Sequence, residues 1–205
     1  MRESARLHRS RFGMRSPLIT LVIILIVANL ALPQDIAVNV TPSARLHAIK
    51  PRTPQGMREL FRYTRESMHF VSAHRGGPQQ QFPENCIATF EKTLKHTFAI
   101  MEIDPRYAKD GAIVVHHDAT LERTTTGKGR VVEMTVKELK ALRLKDAEGV
   151  VTEFQIPTLD EVLEWARGKT ILVLDQKDVP VDVRVRKIEE HRAEAYAMLI
   201  VYSFR

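Results

Sequence analysis

Residues 100–104 read Ile100-Met101-Glu102-Ile103-Asp104, an apolar segment that ends in two carboxylates spaced i, i+2. Side chains alternate faces along a strand, so Ile100, Glu102 and Asp104 share one face while Met101 and Ile103 share the other. Outward from this segment, further apolar stretches occupy 69–73, 112–116, 170–174 and 197–202, and amphipathic stretches occupy 84–97, 135–142, 158–167 and 182–195. Strands alternating with helical patterns predict βαβ units around a parallel sheet. Polar residues gather where these strands end. The first runs into His74-Arg75-Gly76-Gly77, the third into His116-His117-Asp118 and the fourth into Asp175-Gln176-Lys177. Barrels and open α/β sheets build their sites at such C-terminal strand ends.

Each of these signals has a plain reading. His-Arg-Gly alone is a polar turn, and Glu-x-Asp on a strand is a solvated edge face. Four polar strand ends together suggest convergence. If Glu102, Asp104 and Asp175 meet, each pair at 4 Å repels by about 4 kcal/mol at an effective dielectric of 20. Such a site needs a cation or raised carboxyl pKa values. Oxygen-only ligands favour calcium or magnesium over zinc or copper. Strand parity also separates the adjacent histidines: Ile113, Val115 and His117 share a face, so His116 points away and reads as a packing or surface residue.

Composition narrows the class. The chain has 205 residues, 44% hydrophobic and 27% charged, values of a globular domain rather than a disordered one. One cysteine, Cys86, allows neither an intrachain disulfide nor a cysteine-based zinc cluster. Of the net charge of +6, residues 1–16 hold +4 through Arg2, Arg6, Arg9, Arg11 and Arg15 against Glu3. The remainder is nearly balanced, which excludes a nucleic-acid footprint. The arginines precede Leu18 to Leu32, LITLVIILIVANLAL. As a helix this run spans roughly 22 Å, short of a hydrocarbon core of about 30 Å. Residues 1–35 therefore read as an export signal or short signal anchor, with 18–32 as a membrane tether if it is retained. Everything after residue 35 is expected outside the cytoplasm: periplasmic, extracellular or membrane-anchored. Residues 36–68 read as a linker, with a short helix from about Gln55 to Glu66, and 69–205 as a partial barrel of alternating strands and helices.

The segments AHRGG (73–77), FPEN (82–85), MEID (101–104), KDGAIVVHHDATLERTTTGKGRV (109–131), IPTLDEVL (156–163) and LDQK (174–177) strongly resemble glycerophosphodiester phosphodiesterases. The resemblance spans about Val71 to Ser203, in the family's order and at its spacings. It implies a (β/α)8 TIM barrel that hydrolyses a small glycerophosphodiester to glycerol 3-phosphate and an alcohol, with a divalent cation. By the same resemblance His74 and His117 match the catalytic histidines, which can share acid and base roles near neutral pH. Glu102 and Asp104 match metal carboxylates, and Asp175 stands where the family usually carries glutamate. Arg75 and Lys177 match phosphate contacts, and Glu84 with Asn85 organises the mouth or approaches the metal.

A (β/α)8 barrel takes about 250 residues, whereas residues 70–205 offer about five of eight strands, so a C-terminally truncated member is expected. Two other functions stay open. One is a phospholipase-type phosphodiesterase of the same superfamily, cleaving by intramolecular attack. The other is a non-catalytic, membrane-anchored binding protein.

Overall fold

The structure, a computed structural model, describes residues 36–39, 46–64 and 69–202. The chain divides into Met1–Ala31, which lies wholly outside the described residues, and Leu32–Arg205, to which everything below belongs. The apolar run at 18–32, expected to act as a signal or anchor, and the terminal Ser203-Phe204-Arg205 are therefore outside the described residues. Among the described residues, no helix is long and apolar enough to cross a membrane.

The elements run β1 (Ile36–Asn39), β2 (Ala48–Pro51), α1 (Pro54–Leu60), β3 (Val71–Ala73), α2 (Ile87–His96), β4 (Ala99–Ile103), β5 (Pro105–Tyr107), β6 (Ile113–Val115), α3 (Val136–Ala141), α4 (Leu159–Ala166), β7 (Leu172–Leu174), α5 (Val181–Glu190) and β8 (Ala197–Leu199). Strands β3, β4, β7 and β8 form one sheet in that order, parallel throughout. The register pairs Ala73 with Met101, Ile103 with Leu174 and Leu174 with Leu199. All four C-terminal ends therefore reach one rim.

The two faces of this sheet carry different chemistry, as the alternation requires. Ala73, Met101, Ile103, Leu172, Leu174 and Ala197 belong to a core cluster shared with Phe90 and Leu94 of α2, Leu159, Val162 and Leu163 of α4, and Ile188 of α5. The other face begins with Ile100 and Ile171 in a second cluster and ends in Glu102, Asp104 and Asp175. Helices start where their caps dictate. Thr135 with Glu138 and Thr158 with Glu161 form capping boxes at the starts of α3 and α4, each satisfying two orphan backbone donors. Gly76, at φ +83°, is held against α2 so closely that a Cβ there would collide with the Phe90 ring.

Two expectations need correction. The segment around 112–116 is not a strand of the parallel sheet. As β6 it pairs antiparallel with β5, Pro105 opposite Val115, so the sheet holds four parallel strands among the described residues. The reason is connection length: a parallel crossover needs about a dozen residues or more, and β4 is followed by β6 within ten. The hairpin instead seeds a separate small core of Cys86, Ala108, Val114, Leu121, Val131, Leu139, Leu144 and Ile156.

The second correction concerns the linker. β1 and β2 form an antiparallel pair. Ile49 is fully buried with Ile100 and Ile171, and Met57 and Leu60 of α1 pack on them. Backbone bonds from His47 N–H to Leu94 O and from Ile49 N–H to Lys169 O, 2.7 and 3.0 Å, fix this segment under the N-terminal strand ends. The helix is shorter than expected, with Thr53 as its cap accepting from Gly56 N–H at 3.0 Å.

Candidate functional site

The three carboxylates expected to converge do so. Glu102, Asp104 and Asp175 each offer an oxygen, and these oxygens lie within 4.8 Å of one another. β4 supplies the first two and the end of β7 the third, because Glu102 pairs with Val173 and Ile103 with Leu174 in the register. Asp104 is fully buried and Asp175 nearly so, at 0% and 6% exposure. Oxygen ligands around one hard cation lie at most about 4.2 Å apart for magnesium and about 5 Å apart for calcium, twice their usual bond lengths. The 4.8 Å bound lies inside the calcium limit and above the magnesium one, so the set as it stands fits calcium, and magnesium only if the carboxylates draw closer. In addition, Asp104 Oδ1 is buried, and among the described residues the cation that faces it is the Lys177 ammonium, 3.1 Å away. Burial pushes the Glu102 carboxyl up, with the charges of Asp104 and Asp175 adding to the rise and the Arg75 N–H opposing it.

Each carboxylate is aimed by neighbours. Glu102 Oε2 accepts from the Arg75 backbone N–H at 2.7 Å. That amide points inward because Arg75 sits at φ 51°, in the left-handed region. Asn85 grips Asp104 at two points, donating Nδ2 to Oδ2 at 2.7 Å and accepting the Asp104 N–H at 3.2 Å. Asp175 accepts from Lys177 Nζ at 2.6 Å and from Tyr202 Oη at 2.7 Å. Burial would raise the Asp175 carboxyl, but those two donors outweigh it and hold it low. Lys177 Nζ also lies 3.1 Å from Asp104 Oδ1. Burial works against its charge, yet the two aspartates raise its pKa.

The histidines flank this cluster. His74 is exposed in the turn after β3, directly before the Arg75 amide that binds Glu102. His117 follows β6, and the neighbouring His116 N–H donates to Asp104 O at 2.8 Å. His117 Nδ1 lies 2.7 Å from Asp118 Oδ1. His116 faces the other way, as parity requires: it is 2% exposed and its Nε2 meets Thr120 O at 3.1 Å. Burial pushes its pKa down.

Arg75 Nη1 pairs with Glu84 at 3.1 Å, while its buried Nε has no partner among the described residues. The sequence motifs did not single out Arg123, which donates to both Glu84 and Asp118. Nor did they single out Tyr202 or Asp118 as partners. Arg123 and Asp118 lie inside the 109–131 motif, but nothing local signals a contact with Glu84, 39 residues away in sequence. Hydrogen bonds from Arg123 and His117 hold the Asp118 carboxyl well below the usual carboxylate range, against burial. Beside Glu84 and Arg123 opens a cavity of about 400 Å³, lined also by Pro78, Thr124 and residues 145–149.

Residues 74–201 match the sequence model of the Glycerophosphoryl diester phosphodiesterase family. A glycerophosphodiester phosphodiesterase of Caldanaerobacter subterraneus subsp. tengcongensis is 42% identical over 105 residues, covering 50% of this chain and 42% of that protein. Among solved structures, a glycerophosphoryl diester phosphodiesterase from Parabacteroides distasonis superposes with TM-score 0.74 at 45% identity, over 75% of this chain and 54% of the other. A phosphodiesterase from Oleispira antarctica, solved with the product sn-glycerol-3-phosphate, gives TM-score 0.50 at 28% identity over 60% of this chain and 53% of the other. The chain spans about half the length of these relatives.

Proposed function

The chain belongs to the glycerophosphoryl diester phosphodiesterase family, and from that premise we propose that the protein hydrolyses glycerophosphodiesters to glycerol 3-phosphate and an alcohol. The observation that carries this reading is that the backbone ties both histidine turns to the strand end that bears the carboxylates. The amide after His74 binds Glu102, and the amide before His117 binds the Asp104 carbonyl. Two groups able to move protons near neutral pH thus border one acidic cluster.

Glu102, Asp104 and Asp175 would hold a divalent cation, calcium or magnesium by their oxygen-only chemistry. When bound, that ion neutralises charge on the phosphodiester. The chain's own residues do the rest. Arg75 has a buried Nε–H, without a partner among the described residues, for a phosphate oxygen, and Lys177 is a nearby point charge. One histidine takes the proton of the attacking water as its oxygen bonds to phosphorus. The other gives a proton to the departing alkoxide as the second P–O bond breaks. Asp118 accepts the Nδ1 hydrogen of His117, because an ionised carboxylate can only accept, so Nε2 is the nitrogen that faces the reaction.

Glycerol 3-phosphate release from glycerophosphodiesters, followed with and without exhaustive chelation, tests the proposal. Release that depends on added calcium or magnesium is expected, and full turnover in chelator would overturn the metal assignment. Absence of release with either ion would favour a non-catalytic binding role, and a cyclic phosphate product would favour the phospholipase-type route. Residues 18–32 are proposed to direct export, with the domain outside the cytoplasm. A reporter fused after residue 35 and found active only inside the cell would refute that.

A further inference from the structure

One guanidinium joins the two halves of the site. Arg123 Nε and Nη2 donate to Asp118 at 2.6 and 3.0 Å, and Nη1 and Nη2 donate to Glu84 at 3.0 and 2.7 Å. Both carboxylates are gripped in the two-pronged mode that only arginine's planar fork allows. Each then passes the constraint on. Glu84 pairs with Arg75 at 3.1 Å, whose backbone amide follows His74 and binds Glu102. Asp118 meets His117 Nδ1 at 2.7 Å. Glu84 is mostly buried, with a side chain 11% exposed, whereas that of Arg123 is 49% exposed. Four of Arg123's five N–H donors point at those two carboxylates, and the charge of the group of three is net negative. It is a poor receptor for an anionic substrate and a good brace.

We propose that Arg123 is a positioning residue: its fork locks the His74-Arg75 turn and His117 into one mutual geometry and, through Asp118, fixes the His117 tautomer with hydrogen on Nδ1. The kinetic part of this inference rests on the phosphodiesterase reading above; the tautomer part does not. With Arg123 gone, Asp118 is free to rotate toward solvent. The His117 ring then loses the acceptor that holds hydrogen on Nδ1, and Nε2–H forms become populated.

The test is ring-nitrogen NMR of the full chain labelled with 15N-histidine, with His117 assigned by its loss in His117→Asn. Wild type should show hydrogen on Nδ1. Arg123→Met should raise the Nε2–H population several-fold and lower kcat about 10- to 100-fold, part of what an acid–base group contributes, with KM within about twofold. Arg123→Lys keeps the charge but not the fork and should fall between them; it decides the matter if Arg123→Met does not fold. A folded Arg123→Lys with the wild-type His117 tautomer would overturn the proposal, as would Nε2–H in the wild type. A tautomer shift in a protein that hydrolyses no glycerophosphodiester would refute the activity reading and leave the positioning role standing.

Discussion

The same sheet face is oil at one end and charge at the other. At the N-terminal ends of the strands Ile100 and Ile171 lie against Ile49, with Phe70, Phe98 and Met198 around them. Two residues beyond Ile100 stands Glu102, and four beyond Ile171 stands Asp175. The lower end is closed by a segment from outside the sheet; at the rim, every carboxylate is held by a directed donor. Apolar contacts are individually weak and collectively large, so the lower end sets stability. The rim sets chemistry, because its groups are few and each has one aim. A division of this kind predicts that substitutions at the two ends move different observables.

The largest effect should come from the rim. His74→Ala and His117→Ala are each expected to cut turnover by about 10²- to 10⁴-fold with little change in melting. His116→Ala, on the opposite parity, should hold turnover within about tenfold while losing stability. Equal losses at His116 and His117 in steady-state assays would break the parity assignment. Next come the lower-end changes Ile49→Ala and Ile171→Ala, each expected to cost about 2–5 kcal/mol in urea melts with KM unchanged. An activity loss without a stability loss there would dissolve the distinction between the two ends.

A third variant sharpens the rim itself. Lys177 Nζ stands 2.6 Å from Asp175 and 3.1 Å from Asp104, a positive charge beside two of the three acids. Lys177→Met should therefore tighten calcium or magnesium binding by roughly tenfold or more even as turnover falls. Calorimetry showing weaker binding would remove those acids as the cation site. The smallest expected effect is a slope. Burial lowers the His116 pKa from 6.5, so the unfolded chain binds this proton more readily than the folded one. The stability it secures is whole above pH 6.5 and is lost as pH falls below that value. His116→Gln should flatten the stability profile in that window, and an unchanged profile would show that His116 is not its source.

Much of this division was legible in residue order. The alternation Ile100, Glu102, Asp104 put two carboxylates on one face, and parity separated His116 from His117. Those inferences need only the two-residue repeat of a strand. Pairing partners were less legible. The apolar run at 112–116 has the composition of a strand in any sheet, and only the short link from β4 points to an antiparallel hairpin. The segment at 46–60 has four prolines close by, at 33, 42, 51 and 54, and reads as linker. Its burial depends on a cavity that the rest of the chain supplies. The braces of the site were hidden for the same reason. Arg123 to Glu84 and Tyr202 to Asp175 are contacts across 39 and 27 residues, and no local pattern encodes them.

Cys86 gives the molecule a clock. It is the sole cysteine, 3% exposed in the small core beside the hairpin, and burial pushes its thiol pKa up. Native protein therefore shields it from thiol reagents, and modification must wait for that core to open. Asn85, the clamp on Asp104, is the preceding residue. Each labelling event thus counts an opening of the core next to the anchor of the acidic cluster. The labelling rate gives the free energy of that local excursion, separately from unfolding of the sheet.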